Sequence, residues 1–291
     1  MTDTDPRAAH PEGGFDGTPQ SQPGLTGETT STPDHGEETY VGHGRLEGRR
    51  ALITGGDSGI GRAVAIAYAR EGCDVAIVYL PEETEDADAT ADLISAAGRR
   101  ALLIPGDVRD EKFCRDAVEQ TVDAFGGLDI LIPNAAYQKS RDGLESLETA
   151  EFERVFETNI YSMVWFTSAA LPHLEAGASI IVTTSIQAFQ PSPGLIDYAM
   201  TKAAQVAFVK AMSEELGPRG IRVNGVAPGP IWTPLIPATD WPEKVAEFGQ
   251  DTPLGRPGQP AELAPAYVLL GSTEASYMSG TVVGVTGGRP L

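Results

Sequence analysis

Short apolar runs alternate with longer stretches of helical periodicity along most of the chain. Each run is four to seven residues long, which is typical of strands buried on both faces of a sheet. The stretches between them are long enough for right-handed crossover helices. The predicted strands cover residues 51–54, 75–80, 101–105, 128–132, 180–184, 221–227 and 282–285. The predicted helices lie near residues 60–72, 83–97, 110–126, 148–175, 194–217 and 260–270.

This alternation predicts an α/β fold with one doubly wound domain, a parallel sheet of about seven strands and helices on both faces. We place the domain at residues 45–291. Residues 1–44 hold eight acids, one base, eight glycines and five prolines. A segment of this kind buries too little apolar surface to offset the entropy lost on ordering. We therefore expect an acidic, Pro/Gly-rich extension that is either flexible or docked on a partner subunit through residues 20–24 and Tyr40.

Charge and composition exclude several classes of function. The formal net charge is -20, so the surface repels nucleic acid and anionic membranes. Two cysteines and four histidines without ligand spacing predict neither a disulfide framework nor a metal site. No apolar signal region or run of eighteen apolar residues occurs in the sequence, and we expect a cytoplasmic protein.

A glycine-rich segment, Thr-Gly-Gly-Asp-Ser-Gly-Ile-Gly, follows the first predicted strand at residues 54–61 and opens a predicted helix. Glycines allow a tight turn and a close backbone approach, while free N–H groups at a helix start attract a pyrophosphate. The segment therefore predicts a dinucleotide site. Its candidate cofactor-binding residues are Gly55, Asp57, Ser58, Gly59, Ile60 and Gly61.

Three side chains suggest acid/base chemistry. Ser185 follows the fifth predicted strand, and Tyr198 and Lys202 are spaced to share one face of the next helix. A tyrosine has an ordinary pKa near ~10, so service as a base near neutral pH requires a lower value. An ammonium about 4 Å from the phenolate stabilises it by about 4 kcal/mol, which is enough to bring the pKa of the tyrosine near neutral pH. We therefore expect Lys202 to lower the pKa of Tyr198.

The glycine segment together with Tyr-x-x-x-Lys resembles the short-chain dehydrogenase/reductase family over residues 46–288. Within that family the chain is similar to a bacterial subgroup with a Pro-rich N-terminal extension and a Tyr-Leu-Pro-Glu-Glu segment, here residues 79–83. The resemblance implies a Rossmann-type fold. It also implies an NAD(P)-dependent oxidoreductase that transfers a hydride between the cofactor and an alcohol or carbonyl substrate, such as an aldehyde, ketone or sugar.

The resemblance assigns roles to individual residues. Tyr198 is the acid/base, Ser185 holds the substrate oxygen, and Lys202 binds the nicotinamide ribose. Asn159 holds a water chain that leads from the lysine. Further cofactor contacts are implied for Tyr79, Asp107, Val108, Asn134, Ala135, Pro228, Gly229, Ile231 and Thr233, beside Tyr198 and Lys202.

The end of the second strand bears on the choice between NAD and NADP. Tyr79 occupies the position where an acid favours NAD and a basic residue pairs with the NADP phosphate. Ser58 and Leu80 are uncharged as well. The acidic run that follows, Glu82, Glu83, Glu85 and Asp86, would repel a 2′-phosphate. We therefore favour NAD over NADP.

The substrate end is less defined by the sequence. The Pro-rich segment 230–259 is typical of a mobile lid, and Gln187, Gln138 and Trp232 are candidate pocket residues. The family resemblance implies a homotetramer. Two alternatives stay open at this stage: a catalytically idle dinucleotide-binding sensor or scaffold, and a sugar-nucleotide epimerase or dehydratase. An epimerase or dehydratase of this kind needs a large C-terminal substrate domain, which this sequence does not show.

Overall fold

The computed structural model describes residues 5–13, 15 and 18–291 of the chain. Within them, seven parallel strands form one sheet in the order β3-β2-β1-β4-β5-β6-β7. The strands are β1 Arg50–Thr54, β2 Asp74–Tyr79, β3 Ala101–Pro105, β4 Ile130–Ile132, β5 Ser179–Thr183, β6 Arg222–Pro228 and β7 Val282–Val285. This confirms the predicted doubly wound sheet.

Helices connect the strands and cover both faces of the sheet. They are α1 Gly59–Arg70, α2 Thr84–Ala96, α3 Glu111–Phe125, α4 Thr149–Phe156, α5 Ser162–Ala170, α6 Ile196–Leu216, α7 Pro242–Val245 and α8 Ala264–Gly271. The helix predicted over 148–175 is interrupted: a π-helical turn at Glu157–Tyr161 separates α4 from α5, and α5 ends at Ala170. Among the described residues, no helix is both long enough and apolar enough to cross a membrane.

Two apolar layers fix the helices against the sheet. Because successive strand side chains point to opposite faces, Ile53 packs with Val64 of α1 and Val268 of α8, while Leu52 packs in the layer that contains Phe166 of α5. The adjacent strands β1 and β4 mark the point where the strand order reverses. In doubly wound sheets, ligands bind in the crevice at the carboxyl ends of the strands there.

The N-terminal extension lies against its own domain. Hydrogen bonds join the two in both directions. From the extension, the Gln22 amide donates to the carbonyl oxygen of Ala238, and from the domain, the Trp232 indole donates to the carbonyl oxygen of Ser31. The Arg70 guanidinium on α1 donates to the carbonyl oxygens of Gly36 and Tyr40. We expected a flexible extension or one docked on a partner subunit; these contacts are with the same chain, and docking on a partner subunit stays a prediction. Residues 1–4, 14, 16 and 17 of the extension lie outside the described residues.

Candidate active site

The glycine segment forms a tight backbone cradle between β1 and α1. Gly55 and Gly59 adopt left-handed φ angles of 62° and 49°, which favour glycine. A Cβ atom on Gly61 would lie 1.8 Å from the carbonyl oxygen of Gly55, so the backbone closes in a way that only glycine allows there. The cradle leads into the N-terminus of α1, where free N–H groups favour an anion. Its geometry therefore fits a dinucleotide pyrophosphate.

Asn134 ties the ends of three strands together behind this cradle. Its Nδ2 donates to the carbonyl oxygens of Thr54 and Gly55, each at 3.0 Å. The Thr183 hydroxyl donates to its Oδ1 at 3.0 Å. The backbone N–H groups of Asn134 and Ala135 both donate to the Thr54 hydroxyl. These bonds fix the crevice floor.

Ser185, Tyr198 and Lys202 converge at the carboxyl end of β5. Ser185 lies two residues beyond the strand, and its hydroxyl accepts the backbone N–H of Gln187 at 3.1 Å. The Lys202 ammonium donates to the carbonyl oxygen of Thr183 at 2.8 Å and lies 5.2 Å from the centre of the Tyr198 ring. All three side chains are buried and line one crevice with the glycine cradle.

Burial sets the protonation of this group in the protein alone. It raises the pKa of Tyr198 to about 12, against the smaller lowering effect of the hydrogen bond with Ser185. It lowers the pKa of Lys202 to about 7 because the charged ammonium is desolvated. This differs from our expectation that Lys202 lowers the pKa of Tyr198. Spacing places the two groups together, but their shared burial favours the neutral form of both.

Arg141 and Asp197 form a buried ion pair at the start of α6, which the sequence analysis missed. The Arg141 guanidinium donates to Asp197 Oδ2, and both side chains are almost fully buried. Asp197 Oδ1 accepts the backbone N–H of Tyr198 at 2.9 Å. The pair thus positions the backbone of the tyrosine. Because 56 residues separate its partners, no local spacing signals it.

Comparison with known proteins agrees with this geometry. Residues 55–289 match the family model described as Enoyl-(Acyl carrier protein) reductase. The chain is 51% identical over 288 residues to the uncharacterized oxidoreductase YghA of Escherichia coli, covering 99% of this chain and 98% of that protein. The NADPH-dependent aldehyde reductase 1 of Arabidopsis thaliana is 43% identical over 274 residues, covering 92% of this chain and 95% of that protein.

A solved structure shows the same architecture. A short chain dehydrogenase from Burkholderia cenocepacia, in complex with NADP, superimposes with a TM-score of 0.79 at 36% identity, covering 84% of this chain and 98% of that chain. The protein belongs to the short-chain dehydrogenase/reductase family. As a member of this family it is an NAD(P)-dependent oxidoreductase, which removes the support for a catalytically idle sensor.

The preference for NAD that we expected receives no support from these relatives, since one structure holds NADP and the plant enzyme is named for NADPH. The structure also weakens our electrostatic reason. Burial raises the pKa of both Asp57 and Glu83, and the charge of nearby Asp57 raises that of Glu83 further, which favours the neutral forms of these carboxyls. Asp86 is buried and accepts the backbone N–H of Thr26. The acidic run is therefore less repulsive toward a phosphate than its composition indicates.

Most of the predicted site residues of this short-chain dehydrogenase/reductase line the same crevice. These are Gly55, Asp57, Ser58, Gly59, Ile60, Tyr79, Asp107, Val108, Asn134, Ala135, Gln138, Ser185, Gln187, Tyr198, Lys202, Pro228, Gly229, Ile231 and Thr233. Gly61 lies behind this lining, where its missing side chain allows the close approach to Gly55. The cofactor contacts themselves stay predictions.

Asn159 and Trp232 lie away from the crevice wall. Asn159 is buried in the π-helical turn, where its side chain bonds both backbone groups of Tyr137 and the Thr201 hydroxyl. Its assigned part in a water chain stays a prediction. Trp232, which we expected in the substrate pocket, is 1% exposed and stacks on Phe15; its contact with a substrate stays a prediction. The sequence of a lid does not indicate whether an apolar side chain faces the crevice or packs behind the lid.

Two aromatic side chains of the predicted lid, Trp241 and Phe248, line the crevice as its sequence suggested. Gln22 and Pro23 of the extension also line it, and the sequence did not single them out as site residues. The last two are separated from the catalytic group by more than 150 residues of sequence, so only the folded chain brings them to the site.

Proposed function

We propose that the protein reduces a small carbonyl compound to an alcohol with a nicotinamide cofactor, with Tyr198 as the proton donor. The observation that carries this proposal is the convergence of Ser185, Tyr198 and Lys202 in one crevice with a glycine cradle shaped for a dinucleotide. A hydride and a proton added to the carbonyl carbon and oxygen give the alcohol. When bound, the nicotinamide supplies the hydride.

The residues of the chain divide the remaining work. The Ser185 hydroxyl holds the carbonyl oxygen, and Tyr198 Oη donates the proton to that oxygen. A pKa of about 12 keeps the phenol protonated at neutral pH, so the proton donor is fully populated for reduction. Lys202 would bind the nicotinamide ribose, and it is poised to exchange a proton near neutral pH, since its pKa is about 7.

Both NADPH and NADH are candidates for the cofactor. Gly55, Gly59 and the start of α1 would hold the pyrophosphate, and Pro228 to Thr233 would flank the nicotinamide. Tyr79 and Leu80 lie beside Asp57 and Glu83 where the adenosine ribose would bind. Support for NADP comes from the relatives and from the raised pKa of Glu83, while support for NAD comes from the lack of a basic residue at Leu80.

The test is cofactor oxidation followed at 340 nm, with NADPH and NADH each offered a panel of aldehydes, ketones and aldoses. The proposal expects oxidation that depends on one or more of these carbonyl compounds. Binding of the cofactor, seen by fluorescence, without turnover of any carbonyl or of the matching alcohols would contradict it and favour an idle dinucleotide-binding protein.

We also propose a cytoplasmic homotetramer, as the family resemblance implies. Tyr161, Val164 and Met200 are apolar side chains at 49%, 43% and 46% exposure on the outer faces of the π-helical turn, α5 and α6. Such a surface is consistent with burial between subunits. Light scattering of the purified protein should give four times the mass of the chain, and a monomer mass would contradict the assembly.

A further inference from the structure

The N-terminal extension contacts the two loops that border the substrate end of the crevice. The Gln22 side-chain amide donates to the carbonyl oxygen of Gln138 at 3.1 Å and to that of Ala238 at 2.7 Å. Gln138 lies on the loop after β4, whereas Ala238 lies in the predicted lid, residues 230–259. One side chain therefore joins both borders of the pocket. Gln20 adds a backbone bond to Pro237 at 3.1 Å.

Aromatic packing supports the lid from behind. Phe15 of the extension stacks on Trp232, with ring centres 3.6 Å apart and planes 6° from parallel. Trp232 in turn contacts Phe248, whose ring centre is 6.4 Å away, and Phe248 contacts Trp241 at 6.5 Å. Phe248 and Trp241 line the crevice. The extension thus packs beneath the apolar side chains that face the substrate.

The extension is held tightly between the lid and α2. A Cβ atom on Gly24 would lie 2.6 Å from the carbonyl oxygen of Pro234, so the two backbones are in direct contact. On the other side, Asp86 of α2 accepts the backbone N–H of Thr26 at 2.9 Å in a buried position. Gln22 and Pro23 directly precede these two attachments in the chain and line the crevice. They form part of the pocket wall of their own subunit.

We propose that Gln22 is a specificity-determining residue of the substrate site, and that the extension holds the lid closed over the carbonyl compound. This proposal rests on the proposed reductase function. The loop and the lid are also bonded directly, from Gln138 Nε2 to the Thr239 hydroxyl at 2.7 Å and from the Ser140 N–H to the Thr239 carbonyl oxygen at 2.8 Å. Gln22 adds the bridge on the crevice side, and with it sets the width of the pocket between a polar border and the apolar surface of Trp241 and Phe248. The site then selects compact carbonyl compounds with an apolar portion.

The test compares Gln22→Met, which keeps the length of the side chain but has no N–H donor, with Ser21→Ala as a control at the exposed neighbouring position. For compact aldehydes, Gln22→Met should raise KM about tenfold, which corresponds to about 1.4 kcal/mol and to the loss of one or two hydrogen bonds. The kcat and the cofactor Kd should stay within about twofold. Bulky aldehydes should lose less, and Gln22→Lys, which keeps a donor, should recover part of the loss.

Hydrogen exchange of the lid amides gives a second readout that needs no substrate. Gln22→Met should speed exchange across residues 232–248, and Ser21→Ala should not. Equal KM values and equal lid exchange for the two variants would overturn the proposal, as would a loss of cofactor affinity that accounts for the whole effect. If the wild-type protein reduces no carbonyl compound, the reductase function fails, and faster lid exchange in Gln22→Met still shows that Gln22 holds the lid.

Discussion

Replacing Lys202 with methionine tests the electrostatic account of the site through protein stability. Burial lowers the pKa of this lysine from 10.5 to about 7 in the folded protein, and its side chain is 1% exposed. Between these pH values the unfolded chain binds one proton more than the folded protein. The free energy of unfolding of the wild type therefore rises with pH by about 1.4 kcal/mol per pH unit because of this group. Below pH 7 the contribution is fully unfavourable.

Methionine at this position carries no proton, so the variant lacks that slope. Other titrating groups are common to both proteins and cancel in the difference. Since the lysine is half titrated at the lower end of the range, the wild type should gain about 2 kcal/mol relative to Lys202→Met between pH 7 and pH 9. Lys210→Met, at an exposed position of the same helix, serves as the control and should track the wild type.

The assay is urea unfolding at pH 7, 8 and 9, at one protein concentration, followed by circular dichroism. A difference between wild type and Lys202→Met that stays constant within about 0.5 kcal/mol over this range would refute the reasoning. It would mean that the folded protein holds the lysine charged near neutral pH, and that a partner for the ammonium exists in solution that the described contacts do not include.

Three further variants test separate parts of the site. Gly61→Ala places a Cβ atom 1.8 Å from the carbonyl oxygen of Gly55 and should weaken cofactor binding at least about a hundredfold by fluorescence titration, whereas Gly27→Ala meets open space and should not. Leu80→Arg should raise the ratio of kcat/KM for NADPH over NADH about tenfold or more, with Leu80→Met as the uncharged control; an unchanged ratio would argue against this position beside the ribose. Arg141→Met leaves a buried carboxylate unpaired and should cost about 3–5 kcal/mol in urea unfolding, while Arg115→Met breaks an exposed pair worth about 0–1 kcal/mol. Equal losses would contradict the burial argument.

The strands and most helices could be predicted from the sequence because their signals are local. The apolar runs 51–54 and 75–80 match β1 and β2 to within one residue, since a strand buried on both faces needs continuous apolar residues. The runs 101–105 and 282–285 coincide with the edge strands β3 and β7. The glycine segment is also a local signal, because its glycines predict the tight turn between β1 and α1. The break between α4 and α5 was missed because the π-helical turn at 157–161 depends on bonds made elsewhere, including the donation from Gln205 to the carbonyl oxygen of Asn159.

Contacts between distant segments could not be predicted. Phe15 and Trp232 are separated by more than 200 residues, and nothing in the composition of either segment indicates that the two rings stack. The same applies to the pKa of Tyr198. The spacing to Lys202 predicts proximity, but the sign of the pKa change depends on how completely the surrounding chain removes water from both groups.

The most direct test of the central claim is Tyr198→Phe, which removes only the phenolic oxygen from the crevice. On a carbonyl compound that the wild type reduces, the account predicts a kcat at least about a hundredfold lower, with the cofactor Kd unchanged within about twofold. Turnover close to that of the wild type would show that another group donates the proton and would contradict the assignment of Tyr198.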